Sequence, residues 1–212
     1  MDLLRCRARV LQPLIRRRHP AVPDRLHFGC GDRRVLGWLN ADVVGSEWDV
    51  DLAGGRLPWP SGSFTVLVGQ HVIEHLEMVD ELLPLLRELH RVARPGAVLW
   101  LTFPDLEKVC AGYAADRGRS LYEDLRRRHG DYEVGPLPVQ AVVNHLFHQR
   151  GQHKNLFDSE LIGWLLAEAG FVGCEILGER QFLDDYPAFP ARGDDGLSLY
   201  VRARARSANS AS

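Results

Sequence analysis

Six residues separate Gly31 from Trp38, and this short link restricts the fold more than any other feature of the chain. Before it, Arg25-Leu-His-Phe-Gly-Cys-Gly31 reads as a strand running into a glycine turn. After it, Trp38-Leu-Asn-Ala-Asp42 reads as a second short strand ending in an acid. Folds that bind a nicotinamide dinucleotide join two such strands through a helix whose N-terminus holds the pyrophosphate, and they carry G-x-G-x-x-G at its start. Here the third glycine position is Arg34, and the link leaves no room for the helix. The spacing favours a ligand without a pyrophosphate. Gly29 and Gly31 still let the backbone turn sharply and approach a ligand closely. Asp42, at the carboxyl edge of the sheet, can accept hydrogen bonds from both hydroxyls of a ribose.

Further on, strand-like and helix-like segments alternate, which predicts an α/β domain with a mainly parallel sheet. Phe64 to Gly69 is a buried apolar run of strand length. A helix follows with Asp80 as its N-cap, and Leu82, Leu83, Leu86, Leu89, Val92 and Ala93 recur at helical spacing. Pro84 falls in its first turn, and Arg94-Pro95-Gly96 ends it. Ala97 to Phe103 is the next strand, closed by Pro104-Asp105. Residues 106–157 are irregular and rich in Arg, His, Gly and Pro. A second helix starts at Asp158 or Ser159, turns Leu161, Trp164, Leu165 and Ala169 to the core, and stops at Gly170. Phe171 to Leu177 and Leu197 to Ala203 are the closing strands, with a long Pro/Gly/Asp-rich connection between them.

At 212 residues and 45% apolar content, one domain with a full core accounts for the chain. Residues 1–24 precede it as a basic amphipathic helix that packs its leucines on the domain, 25–206 form the domain, and 207–212 form a flexible polar tail. The arginines of the leading segment break any secretory stretch, and no run is long enough to span a membrane, so a cytoplasmic protein is expected. A net charge of −2 does not point to nucleic acid. Cys6, Cys30, Cys110 and Cys174 lack the spacing of a disulfide framework or a zinc site.

Asp51-Leu52, Leu57-Pro58, Ser63-Phe64, Glu74-His75, Arg91-Val92 and Pro95-Gly96 stand in an order that resembles the class I S-adenosylmethionine-dependent methyltransferases, in their type-11 small-molecule branch. His153-Lys154-x-x-Phe157-Asp158 and Ala169-Gly170-Phe171 extend the resemblance toward the C-terminus. It implies a Rossmann-like three-layer α/β sandwich with a mainly parallel sheet and an antiparallel last strand. With eight residues between Asp42 and Asp51, the first half of the sheet must be shortened, and the leading helix would cover what the missing helices leave bare. Thr65 and Ala97 replace an acid and a glycine usual in the family.

The resemblance further implies S-adenosylmethionine as cofactor and S-adenosylhomocysteine as product. Gly29, Cys30 and Gly31 would pass beneath the methionine part, Asp42 would hold the ribose, and Asp51 with the Leu52 backbone would face the adenine. Gln70 and His71 would lie near the carboxylate and sulfonium, and Glu74-His75 would begin the next helix and support that turn. Residues 106–157 would form the acceptor lid, with Asp105 at its root as a substrate contact. The acceptor would be a sugar, polyketide or peptide natural product methylated at oxygen or nitrogen. The Asn-Pro-Pro-aromatic tetrapeptide of many base-modifying enzymes is absent after the fourth strand, which argues against a nucleic-acid acceptor.

Three histidines carry the catalytic expectation. His145, His148 and His153 cluster in the lid, and histidine titrates near neutral pH, so one of them can be the general base. His148, between Phe147 and a flexible Gly151, is the first choice. His145 and His148 would share a helical face, but no cysteine and few carboxylates accompany them, so no metal site is expected. The alternatives are a methyltransferase-fold binding protein without catalysis and a nucleotide-sugar or nicotinamide enzyme on a similar sheet.

Overall fold

The computed structural model describes residues 23–207 except Asp131. The leading helix expected over 1–24, with Cys6, and the tail expected over 207–212 lie outside the described residues apart from Pro23, Asp24 and Ser207. Among the described residues there are seven strands: β1 Arg25–Phe28, β2 Leu39–Asp42, β3 Trp48–Asp49, β4 Phe64–Gln70, β5 Ala93–Pro104, β6 Phe171–Leu177 and β7 Ser198–Ala205. They form one sheet in the order β3-β2-β1-β4-β5-β7-β6. The first five strands run parallel, and β7 is antiparallel to both of its neighbours. This is the Rossmann-like α/β sandwich that the alternation and the resemblance predict.

Six α-helices among the described residues accompany the sheet: α1 Leu83–Val92, α2 Leu106–Asp116, α3 Arg119–Arg128, α4 Ala141–His148, α5 Ser159–Glu168 and α6 Glu179–Asp185. Three of them, α2 to α4, lie in the segment read as irregular, and α6 lies in the connection read as a loop. Their short, arginine-rich or interrupted apolar patterns hid them. Pro84 sits in the first turn of α1 as expected, but Asp80 is not the cap. A π-turn over Met78–Leu82 precedes the helix, and the Glu77 carboxylate accepts from the amides of Val79 and Asp80. Asp158 does cap α5, accepting from Leu161 N at 2.8 Å. The buried face of that helix is Ile162, Leu165 and Leu166, whereas Trp164 is 56% exposed.

Side chains alternate across the sheet as the pleat demands. Leu99, Leu101 and Phe103 of β5 pack with α1 and α5, while Trp100 joins Val68, Tyr200 and Phe182 on the other face. No helix joins β1 to β2, and β3 has only two residues, so the second face lacks its usual cover at that end. Trp38, Tyr186 and Phe189 fill the gap edge to face. Arg33 in the short link fastens this cover by donating to the carbonyls of Pro190 at 2.8 Å and Ala191 at 3.2 Å.

His27 of β1 is buried under this cover, 3.3 Å from Asn40 Oδ1 and edge-on to Phe189. Burial, with lesser contributions from Arg33 and Arg192, pushes its pKa down to about 4. The unfolded chain therefore binds the extra proton between about pH 6.5 and pH 4, and stability falls as the medium is acidified across that window. The loss should reach roughly 3 kcal/mol at pH 4. Urea midpoints measured against pH should show a flatter limb in His27→Gln; an unchanged slope would rule His27 out as its source.

Candidate active site

Two cavities open at the carboxyl end of the parallel strands. The first, about 270 Å³, is bounded by Gly29, Asp42, Asp51, Leu52, His71 and Val72, among others. Gly29 and Gly31 have φ of 63° and 50°, the left-handed region that glycine enters freely. A Cβ on Gly29 would overlap the γ-carbons of Val72 in the turn after β4, so only glycine lets the two turns meet. Asp42 is held from both sides, Oδ2 accepting from Gly31 N at 2.7 Å and Oδ1 from Val43 N at 2.6 Å. Each oxygen keeps a lone pair for a ligand. Asp51 is buried, and its Oδ1 accepts from Ala53 N at 3.1 Å.

The second cavity, about 320 Å³, lies between this edge and the α2–α4 lid. Arg128, Tyr132 and His145 bound it from the lid, His153 from the segment that follows, and Arg192 and Ser198 from the approach to β7. Arg128 is anchored through Nε to Asp124 at 2.9 Å, and Arg192 through Nε to Asp194 at 3.1 Å. His71 and His75 belong to both cavities, so the two spaces meet at these rings.

His71 has φ of 55° and is held by its amide to Thr102 O at 2.8 Å. Its Nε2 lies 2.9 Å from Asp194 Oδ2 and its Nδ1 lies 3.2 Å from Glu74 Oε1. Burial works against a charged ring, but the two carboxylates outweigh it and raise the pKa. Asp194 is fully buried, and burial alone would raise its pKa; His71, Tyr200 and Arg192 reverse that and hold it well below the usual range. Tyr200 donates to Asp194 Oδ1 at 2.6 Å.

Several residues stand elsewhere than expected. The Cys30 side chain is buried behind the glycine turn, donating to Gly31 O at 3.4 Å, and burial raises its thiol to about 12. It lines neither cavity. Gln70 lies on the opposite side of β4, beside Trp100 and Tyr200, and reaches neither cavity. Strand alternation sends it there, and the left-handed turn at His71 brings the next residue to the site. Asp105 lines neither cavity; it caps α2, accepting from the amides of Glu107 at 2.9 Å and Lys108 at 3.3 Å. His145 and His153 line the second cavity, but His148 is exposed beside Gly151 and lines neither. Burial is the leading cause that lowers the pKa of His145, with Arg150 and His129 adding to it.

Residues 48–101 match a family model described as a methyltransferase domain. That segment holds β3, β4, α1 and most of β5, the part of the sheet that carries Asp51, His71 and the junction of the cavities. Over this segment the chain is similar to that family. Its sheet is similar to that of a possible exported protein from Bordetella parapertussis, with a TM-score of 0.51, 13% identity and coverage of 94% of this chain and 66% of that one. It thus spans just under two thirds of that protein. A second similar structure is a methyltransferase from Methanosarcina mazei, with a TM-score of 0.50, 15% identity and coverage of 92% and 98%. No curated protein matches the chain.

Methyltransferases of the kind that segment resembles use S-adenosylmethionine, and the first cavity fits it on two counts. The cradle at Gly29 admits backbone where any side chain would collide, and two carboxylates with fixed orientation, Asp42 and Asp51, share the cavity with the apolar side chains of Leu52, Val72 and Leu76. Asp194, Arg192 and Glu74 were missed as site residues in the sequence. Asp194 looked like one more polar residue of a loop, and only its packing against His71 reveals it. Among the described residues no helix is long and apolar enough to cross a membrane.

Proposed function

We propose that this methyltransferase moves a methyl group from S-adenosylmethionine to an oxygen or nitrogen of a small-molecule acceptor. Of sugars, polyketides and peptide natural products, the polar second cavity favours an oxygen-rich, sugar-like acceptor. One observation carries the reading: a cavity with a nucleoside-type edge meets a polar cavity at His71 and His75. Asp42 would hold the ribose hydroxyls, Asp51 and the Leu52 backbone the adenine, and the Gly29–Gly31 turn the methionine part. Arg128, Arg192 and Tyr132 would hold the acceptor.

The sulfonium supplies an already activated methyl group, so the chain contributes alignment and exclusion of water. The lid helices close over the second cavity, packed on Leu121, Leu125, Val142 and Leu146. Their guanidinium and phenol groups can fix an acceptor so that its nucleophile points along the sulfur–methyl axis. His145, kept neutral by burial, can take a proton from an acceptor held on the lid side.

Calorimetry should show tight binding of S-adenosylhomocysteine and far weaker binding of nicotinamide dinucleotides. Labelled methyl transfer to a panel of sugars, hydroxylated polyketides and peptides should show sugars favoured. Preference for a dinucleotide would overturn the reading, and cofactor binding with no transfer to any class would leave the chain a binding protein. Asp42→Asn should weaken S-adenosylhomocysteine about 10- to 100-fold, as expected for losing charged hydrogen bonds of about 1.5–3 kcal/mol. Unchanged affinity would remove Asp42 from the ribose site.

A further inference from the structure

Glu74 is fully buried, yet its charge is only half accounted for. His71 lies 3.2 Å from Oε1, while Oε2 is sealed from solvent with neither a hydrogen-bond nor an ion-pair partner among the described residues. A buried carboxylate oxygen without a partner is costly unless something positive binds it. Two imidazoles stand beside it. Glu74, His75 and His153 each offer one ligand atom, and these atoms all lie within 4.8 Å of one another. Metal bonds of about 2.0–2.2 Å place ligand atoms about 3–4 Å apart, so small side-chain rotations close the set.

The surroundings prepare both rings for coordination. His75 Nδ1 lies 3.2 Å from Gln152 O, and His153 Nδ1 lies 2.7 Å from Leu146 O. A carbonyl only accepts, so each Nδ1 carries the proton and each Nε2 keeps its lone pair. Metal-binding histidines are oriented in this way. The backbone fixes the approach of the two segments as well. The amides of Lys154 and Asn155 both donate to Glu74 O, at 2.8 and 3.3 Å, and Asn155 Nδ2 donates to Leu76 O at 2.6 Å. His153 is thus stapled to the turn that carries Glu74 and His75.

We propose that Glu74, His75 and His153 bind one divalent transition-metal ion of the zinc class where the two cavities meet. Two nitrogens and one carboxylate oxygen suit such an ion and leave coordination positions open. All three residues border the acceptor cavity, and His75 also borders the cofactor cavity. The open positions therefore face the place where an acceptor hydroxyl would stand. Bound there, the hydroxyl gives up its proton to water more readily. Its oxygen then forms the new bond to the methyl carbon as the sulfur–methyl bond breaks, and the bonding pair leaves with the sulfur. This role rests on the methyl-transfer reading; the binding of the ion does not. His71, on the far oxygen of Glu74, is a positioning residue.

The test uses the purified full chain, stripped with chelator and titrated with Co²⁺, whose visible absorption reports its ligands, and with Zn²⁺ in competition. The wild type should bind one equivalent and show the absorption of a nitrogen-and-oxygen site. His153→Ala and Glu74→Gln should each weaken Co²⁺ at least 100-fold while still binding S-adenosylhomocysteine, which reports that they are folded. Should either fail to fold, His75→Ala, on the exposed side of the turn, serves the same purpose. His148→Ala, outside both cavities, should bind Co²⁺ like the wild type. A wild type that takes up neither ion at 100-fold molar excess overturns the proposal, as does equal binding by wild type and His153→Ala. Metal binding without methyl transfer would sustain the site and discard the function, whereas transfer undiminished in chelator-stripped protein would sustain the function and overturn the ion's role in it.

Discussion

Gly29→Ala should weaken cofactor binding severely, whereas Gly31→Ala should weaken it far less. Both glycines have positive φ, so each substitution forces an L-residue into the left-handed region at a cost of about 1–2 kcal/mol. They differ in what the new methyl meets. At Gly31 nothing lies within 4 Å of the added carbon, whereas at Gly29 it would overlap Val72, whose second γ-carbon is 2.8 Å away. Valine has one stiff torsion and cannot swing aside, so one of the two turns must move. Overpacking of this kind costs about 1–3 kcal/mol more, and because both turns border the cofactor cavity, the displacement falls on the site. Calorimetry with S-adenosylhomocysteine should show affinity lowered by about two decades or more in Gly29→Ala, or about 3 kcal/mol. In the double variant Gly29→Ala/Val72→Ala, relief of the overlap should restore part of the binding, leaving the backbone cost. Additive effects of the two substitutions would mean that the contact does not shape the site.

This contact shows which kind of information the sequence carries. The Gly29–Gly31 turn and Asp42 are legible because each sits at the end of a strand, where chain order alone places it on the carboxyl edge of a parallel sheet, whereas Asp51, two residues past β3, is placed by the resemblance alone. The missing crossover helix follows from counting six residues. Gln70 and His71 mark the limit of that reading. They are adjacent, and which one faces the ligand depends on strand parity and on the left-handed conformation at His71, which no local pattern announces. Trp164 fails for a related reason. Leu161, Trp164 and Leu165 satisfy helical spacing as well as Ile162, Leu165 and Leu166 do, and only the packing of α5 against the sheet chooses the second set.

The residues that sequence reasoning missed are those whose meaning is a partner far along the chain. Glu74 and His153 are 79 positions apart, and His71 and Asp194 are 123 apart. The three histidines stand out because they are close in sequence, yet only His145 and His153 line the second cavity, while the His148 side chain is exposed. The fold brings His153 to a carboxylate read only as part of a supporting helix start.

Asp194→Asn should lower stability by about 3–5 kcal/mol, the usual cost of removing one partner from a buried ionic network. Asp194 is fully buried, and its two oxygens serve His71, Arg192 and Tyr200 at 2.9, 3.1 and 2.6 Å. Asparagine keeps the shape and one acceptor oxygen, so the Tyr200 bond can survive. Its amide nitrogen, a donor, then faces the Arg192 guanidinium, also a donor, and the half-buried arginine loses the carboxylate its guanidinium is paired with. For a chain of this length the loss corresponds to a fall in melting temperature of about 10 °C. Tyr200→Phe, which removes only the neutral donor, should cost about 1.5–3 kcal/mol. The sign of the pH dependence separates charge from shape. Because the folded chain holds Asp194 below the ordinary carboxylate range, its contribution is present above about pH 4 and disappears as the pH falls further. The gap between wild type and Asp194→Asn should therefore be widest near neutrality and narrow with acid, whereas the gap for Tyr200→Phe should change less. Melting curves of Asp194→Asn within two degrees of wild type at pH 7 would show that the network adds no net stability, leaving Asp194 to act only through the position of His71.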